Sequence, residues 1–103
     1  MPADQWRPDW AVHPGETLAE VLRERKMRQV QLAAATGYSA KHVNRIVRCA
    51  DRITPRFAIA LEEVLGVDAR VWARLQADWD VWLERQRPAV GGWVDATRGD
   101  DGT

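Results

Sequence analysis

The stretch that decides the fold is QVQLAAATGYSAKHVNRIVR, residues 29–48. Its pattern predicts two short helices separated by a tight turn. The first runs from about Gln29 to Thr36 and ends at Gly37, a residue that readily adopts the positive φ of a helix C-terminus. The second begins after Ser39, a favourable N-cap.

The second of these helices has an apolar side and a polar side. Val43, Ile46 and Val47 recur at the spacing of one buried face. The opposite side has no core to serve and carries Ala40, Lys41, Asn44, Arg45 and Arg48. Two short helices in this arrangement are typical of a helix-turn-helix, which places its second helix in the DNA major groove.

The net charge of zero hides an uneven distribution along the chain. Residues 23–56, the basic segment, contain nine basic and two acidic residues and carry +7, whereas residues 1–22 carry −3 and residues 57–103 carry −4. The basic segment contains the helix pair, as phosphate binding requires. A solvated charged surface would have a similar composition, so charge alone does not establish nucleic-acid binding.

Three more helices are predicted, which makes the domain all-α. Their apolar spacing places them at residues 15–27, 55–65 and 69–87. Pro55 suits a first helical position, while Gly66 and Pro88 end the last two helices.

The segments outside this domain are predicted to be irregular. Residues 1–14 contain three prolines, cannot form one continuous helix and are interpreted as an arm that packs in part through Trp6 and Trp10. Residues 88–103 are rich in glycine and acidic residues and are interpreted as a flexible tail. One domain, residues 15–87, is therefore expected within the 103 residues.

Several other functional classes find no support in the sequence. A lone Cys49 allows no intramolecular disulfide or zinc spacing, so we expect a cytoplasmic protein with an inert thiol. His13 and His42 lack partners at metal-ligand spacing, and Asp78 and Asp80 point in different directions on a helix. We therefore expect no metal, cofactor, small-molecule substrate or enzymatic activity. No segment resembles a membrane span.

The fifth predicted helix carries an apolar stripe longer than one monomer needs. Trp72 and Leu75 are expected to complete the core. Trp79, Trp82 and Leu83 lie about a turn or more farther along, where a five-helix body offers little to cover them. Either the N-terminal arm or a second subunit must do so. We favour the subunit and predict these three residues as a dimer interface.

A series of short motifs in a fixed order supports a more specific interpretation. They include His13-Pro14-Gly15-Glu16, Gln29-x-x-Leu32-Ala33, Thr36-Gly37-x-Ser39-x-Lys41-x-Val43-Asn44, Ile53-Thr54-Pro55 and Trp72-x-x-Leu75-Gln76. Together they resemble the HigA-type antitoxins, or plasmid-maintenance antidote proteins, of the XRE (lambda-repressor-like) helix-turn-helix family. The resemblance covers residues 12–83 and implies a five-helix lambda-repressor-like DNA-binding domain.

The resemblance also implies partners and site residues. The family's members are dimers that bind a palindromic operator of double-stranded DNA in their own promoter and neutralise a small RelE-like, mRNA-cleaving toxin. By resemblance, Gln29, Ser39 and His42 would contact phosphate, Lys41, Asn44 and Arg45 would meet base edges, and Ala40 would lie at the tip of the reading helix. Arg48 is predicted to add affinity without base selectivity. Arg or Lys pairs with guanine, Asn with adenine, and Ala with the thymine methyl group.

The chain departs from the family pattern in three places. Arg28 stands where the second helix usually has a Ser or Thr cap. Arg48 and Cys49 replace the Asn-Gly that usually ends the third helix, and Asp51 occupies a position where the family often has Lys or Arg. These departures affect the expected phosphate contacts and leave the base-reading residues in place.

Two other functions are compatible with the sequence. A phage or mobile-element repressor of the same fold would need no toxin partner, and no residue distinguishes it from an antitoxin because a fold does not fix a biological role. A protein-interaction module would instead use the acidic terminal segments and the tryptophan surface to bind a basic partner.

Overall fold

The computed structural model describes residues 11–87, and five α-helices account for most of them. In chain order they are α1 (Pro14–Glu24), α2 (Gln29–Thr36), α3 (Ala40–Val47), α4 (Pro55–Leu65) and α5 (Ala69–Arg85). No strand occurs among these residues, and the all-α prediction is confirmed. Trp6, Trp10 and the tail of residues 88–103 lie outside the described residues.

All five helices contribute to one apolar core. Its buried residues are Leu18, Leu22, Leu32, Ala33, Val43, Ile46, Ile53, Phe57, Ala58, Leu61, Leu65 and Trp72. Burying each large side chain contributes about 1.5–3 kcal/mol. α2 packs on α3 and α4, while α1 contacts α3 and α5, and α5 also covers α4. As predicted, Trp72 is fully buried and Leu75 packs against the core.

The end of α1 differs from the prediction. The helix ends at Glu24, not near Met27, because Lys26 adopts φ 54°. The N–H of Lys26 donates to the carbonyl of Arg23, and the N–H of Met27 donates to that of Leu22, at 3.1 and 2.9 Å. These two bonds form a Schellman motif. Met27 packs against the core from outside the helix, which is why its apolar spacing was misleading.

The same motif ends α3 without the expected glycine. Cys49 has φ 63°, its N–H donates to the Ile46 carbonyl at 2.9 Å, and the N–H of Ala50 donates to the Arg45 carbonyl at 2.8 Å. A residue with a Cβ in this conformation costs about 1–2 kcal/mol relative to glycine. The chain therefore keeps the backbone turn and carries the conformational cost of a cysteine at its left-handed position.

Gly15 lies where the first turn of α1 crosses the end of α3. A Cβ at this position would lie 1.9 Å from the carbonyl oxygen of Ile46. That oxygen also accepts the N–H of Cys49, so it cannot move without loosening the turn that ends α3. Only glycine allows the two helices to approach this closely.

Replacing Gly15 with alanine is expected to destabilise the domain strongly. Overpacking usually costs about 1–3 kcal/mol, and a clash with a backbone carbonyl should reach about 3 kcal/mol or more. Gly37→Ala is the control, because nothing lies within 4 Å of its Cβ position and only its φ of 83° is unfavourable, at about 1–2 kcal/mol. Urea denaturation measures both changes, and equal losses would contradict the close approach.

A polar network attaches α5 to the loop between α3 and α4. The buried Gln76 accepts the N–H of Ile53 at Oε1, 2.7 Å away, and donates from Nε2 to Asp80 at 2.9 Å. Asp80 in turn pairs with Arg52 at 2.7 Å. Sequence analysis assigned no role to Gln76. The available signal was an amide on the apolar stripe, four residues after Trp72.

His13 caps α1 from a buried position. The residue is only 4% exposed, and its Nδ1 accepts the N–H of Gly15 at 2.8 Å. The imidazole also meets the edge of Trp79, with ring centroids 5.1 Å apart. Burial lowers the pKa of His13, and the negative charges of Glu16 and Asp80 oppose this only in part. The cap needs the neutral ring, because a protonated Nδ1 cannot accept.

The His13 cap predicts a loss of stability in mild acid. The unfolded chain takes up a proton at the ordinary histidine pKa of about 6.5, whereas the folded chain resists protonation to a lower pH. The contribution of His13 to the free energy of unfolding is therefore fully present above about pH 6.5. It falls as the pH drops from there through the lowered pKa of the folded state.

Urea denaturation at pH 7.5 and pH 5.5 measures this change. His13→Asn keeps an N-cap acceptor that does not titrate, so this variant should lose less stability between the two conditions than the wild type. An identical loss in both proteins would assign the effect to other groups.

Candidate nucleic-acid interface

The α2–turn–α3 unit is fixed by caps on both sides of the turn. Gly37 ends α2 with φ 83°, and its N–H donates to the Ala33 carbonyl at 2.9 Å. Ser39 begins α3, with its Oγ accepting the N–H of His42 at 3.0 Å. The turn therefore holds the two helices in a fixed relation.

The start of α2 is only partly capped. The side chain of Arg28 has no hydrogen-bond acceptor, so it cannot accept a hydrogen bond from the free N–H groups in the first turn of α2. The reciprocal bond is present, since Oε1 of Gln31 accepts the N–H of Arg28 at 2.7 Å. At this helix start a side chain therefore satisfies only the N–H of Arg28 itself.

Burial of one side of α3 decides which of its residues face outward. Val43 and Ile46 are fully buried. The predicted site residues lie on α3, on its cap and at the start of α2: Ser39, Ala40, Lys41, Arg45 and Arg48 are exposed, while Gln29, His42 and Asn44 are half-buried. Their roles toward DNA remain predictions.

Two of these residues are bonded to each other. Nδ2 of Asn44 donates to Oε1 of Gln29 at 3.0 Å, which joins the outer side of α3 to the first residue of α2. The amide nitrogen of Gln29 and the carbonyl oxygen of Asn44 are not used in this bond. The contact fixes the orientation of both amides before any ligand arrives.

Arg45 is held by the loop that follows α3. Its Nε lies 3.4 Å from Oδ2 of Asp51, and its Nη2 donates to the carbonyl of Ala50 at 3.2 Å. The side chain remains about half exposed, at 51%. Sequence analysis treated Asp51 only as a departure from the family and missed its contact with a predicted base-reading residue.

His42 is packed among aromatic rings. It stacks on Tyr38 with centroids 5.1 Å apart and meets Phe57 edge-on at 5.4 Å. Its Nδ1 lies 3.9 Å from Oδ2 of Asp51, and 29% of its side chain is exposed. Packing therefore fixes the ring, and only its edge is available for the predicted phosphate contact.

Cys49 is exposed at the end of α3. Partial shielding of its sulfur from solvent and the negative charge of Glu16 raise the pKa of its thiol, so the thiol is mostly protonated at neutral pH. Low reactivity follows, since the thiolate is the nucleophile. Within residues 11–87, no group of three or more His, Cys, Asp or Glu side chains could hold a metal ion. In the same range, no helix is both long and apolar enough to cross a bilayer.

The predicted dimer residues lie at the far end of α5. Trp79 and Trp82 are half-buried and contact each other with centroids 5.0 Å apart, and Trp79 also touches His13. Leu83 is 49% exposed. His13, which precedes α1, thus covers part of Trp79, whereas Leu83 remains exposed.

Comparison with known proteins decides the family. The Helix-turn-helix family model matches residues 18–72, which include the whole α2–turn–α3 unit. The chain belongs to this helix-turn-helix family. Virulence-associated protein I of Dichelobacter nodosus is 35% identical over 77 residues, covering 74% of this chain and 71% of the relative.

Two solved structures from Pseudomonas aeruginosa have the same fold. A Pseudomonas aeruginosa protein in complex with its 18-bp operator DNA has a TM-score of 0.73 and 31% identity, covering 85% of this chain and 94% of that one. The Pseudomonas aeruginosa antitoxin HigA with the higBA promoter has a TM-score of 0.72 and 28% identity, covering 90% and 97%. The resemblance to HigA-type antitoxins seen in the sequence is confirmed.

Proposed function

We propose that this helix-turn-helix protein is the antitoxin of a HigBA-type module, a homodimer that binds a palindromic operator and represses its own operon. The observation that carries the proposal is the exposed polar face of α3, which lies in the basic segment of a chain whose total net charge is zero. Structural relatives that are in complex with operator or promoter DNA support it.

The chemistry of the α3 face suits base recognition. Lys41 and the free donors of Arg45 can take the two major-groove acceptors of guanine, and Asn44 can pair with adenine. Ala40 at the tip of α3 fits a thymine methyl group. Gln29, Ser39 and His42 would hold the phosphate backbone and fix the register, which carries no sequence information by itself.

Substitutions on α3 should separate base contacts from phosphate contacts. Lys41→Ala and Arg45→Ala should each cost about 1–3 kcal/mol of operator binding and relax selectivity at one base pair. Arg48→Ala should weaken binding to all sequences and reduce the salt slope by about 1. Gel-shift titration at several salt concentrations measures both effects.

Arg74→Ala is the control for these substitutions, because Arg74 is exposed on α5, outside the basic segment. If Lys41→Ala and Arg45→Ala bind the operator as tightly as Arg74→Ala does, α3 is not the reading helix.

A second subunit is supported by the position of Leu83. Leu83 follows Trp72, Gln76 and Trp79 on the same side of α5, at helical spacings of 11, 7 and 4 residues. The first two are buried, yet Leu83 is 49% exposed, so the core does not cover the end of α5. A two-fold partner on this side would cover it and present two reading helices roughly 34–36 Å apart.

A matched pair of substitutions tests the dimer. Leu83 and Val81 are almost equally exposed, at 49% and 51%, but lie on opposite sides of α5. Leu83→Glu should raise the dimer dissociation constant about tenfold or more, as expected for a buried interface residue. Val81→Glu should leave it unchanged. Analytical ultracentrifugation measures both, and equal effects would place the interface elsewhere.

Neutralisation of a RelE-like toxin is the second half of the proposal. It is supported by the structural relative that is named antitoxin HigA. Co-purification with a small protein encoded beside this chain is its test, and truncation at residues 1–10 or 88–103 would locate the binding segment. A phage-type repressor would bind its operator and retain no such partner, whereas an interaction module would show no salt-dependent DNA binding.

A further inference from the structure

Asp51 places a negative charge beside the predicted reading face. Oδ1 accepts the N–H of Arg52 at 2.8 Å, and Oδ2 lies 3.4 Å from Nε of Arg45 and 3.9 Å from Nδ1 of His42. Arg45 and His42 are both predicted DNA contacts. One carboxylate therefore faces two side chains that the proposed function directs toward nucleic acid.

The contact restrains Arg45 without using all of its donors. A guanidinium has five N–H groups. Asp51 and the carbonyl of Ala50 occupy one donor each, on Nε and Nη2, so further donors remain on Nη1 and Nη2. Arg45 can therefore keep its contact with Asp51 while its remaining donors take the paired acceptors of a base edge.

The charge on Asp51 persists at neutral pH. The hydrogen bond from the Arg52 N–H lowers the pKa of the Asp51 carboxyl, and Arg45 adds to this effect. The negative charge opposes phosphates, whose binding dominates affinity for DNA of any sequence. It also competes with phosphates for Arg45. Both effects weaken binding to duplexes on which Arg45 finds no base edge to contact.

We propose that Asp51 is a specificity-determining residue that acts through Arg45. By pairing with Arg45, Asp51 keeps this side chain from binding phosphates on DNA of any sequence. Arg45 then contributes to DNA affinity only on duplexes in which a base edge can accept its remaining donors. The inference rests on the proposed function, in which α3 reads the major groove. The alternative is that Asp51 only stabilises the loop between α3 and α4, by accepting the N–H of Arg52.

The test variant is Asp51→Asn, which keeps an acceptor for the Arg52 N–H and removes the charge. Binding is measured by gel shift on two duplexes of equal length, one enriched by the wild-type protein from a randomised library and one of random sequence. Asp51→Asn should raise affinity for the random duplex about fivefold at 0.15 M salt, the effect of one additional phosphate contact. The ratio of the two affinities should fall by about the same factor.

A second background shows whether Asp51 acts through Arg45. In the Arg45→Ala protein, adding Asp51→Asn should leave the affinity ratio unchanged. An equal fall of the ratio with and without Arg45 would overturn the inference, because the charge would then act on its own. An unchanged ratio in the protein that retains Arg45 would also overturn it and leave Asp51 as a loop residue.

Asp68→Asn is the matched control for charge. Asp68 likewise accepts a backbone N–H, from Arg70 at 2.8 Å, and pairs with an arginine at 3.1 Å, but at the start of α5. Its substitution should not change the affinity ratio, and a fall equal to that of Asp51→Asn would overturn the inference. A wild-type protein that enriches no sequence would overturn the proposed function and this inference together.

Discussion

The approach of α1 to the end of α3 at Gly15 is the contact on which the other helix positions depend. The absence of a side chain at Gly15 lets the first turn of α1 reach the Ile46 carbonyl. The same turn is capped by His13, whose ring rests on Trp79 of α5. α1, α3 and α5 therefore meet at His13 and Gly15. Because Ile46 is fixed by this contact, the direction in which the polar face of α3 points is fixed as well.

The C-terminal ends of α2 and α4 could be predicted because their end signals are explicit in the sequence. Gly37 and Gly66 follow the last helical residues and adopt φ 83° and 77°. The end of α1 could not be predicted in the same way. Lys26 adopts the left-handed conformation although it is not glycine. The Schellman hydrogen bonds that stabilise this conformation depend on carbonyls several residues earlier. Composition at one position does not show such a turn.

Helical spacing shows which side of α3 is polar, but not what its side chains contact. The bond between Gln29 and Asn44 spans 15 positions in the sequence, and that between Ile53 and Gln76 spans 23. Both depend on where separate helices come to rest. The contact of Arg45 with Asp51 is only six positions long, yet it depends on the left-handed turn at Cys49 between them. Predicted site residues can therefore be placed on a surface before their mutual restraints are known.

That left-handed turn also carries the single thiol of the protein, a site for selective labelling. Cys49 is the only cysteine in the chain, it is exposed, and it follows directly after α3. A spin label or fluorophore attached to its sulfur would report the position of α3 without engineered cysteines elsewhere. Because the pKa of this thiol is raised, coupling is faster in alkaline buffer. In a two-fold complex, the distance between two such labels would measure the separation of the two α3 helices directly.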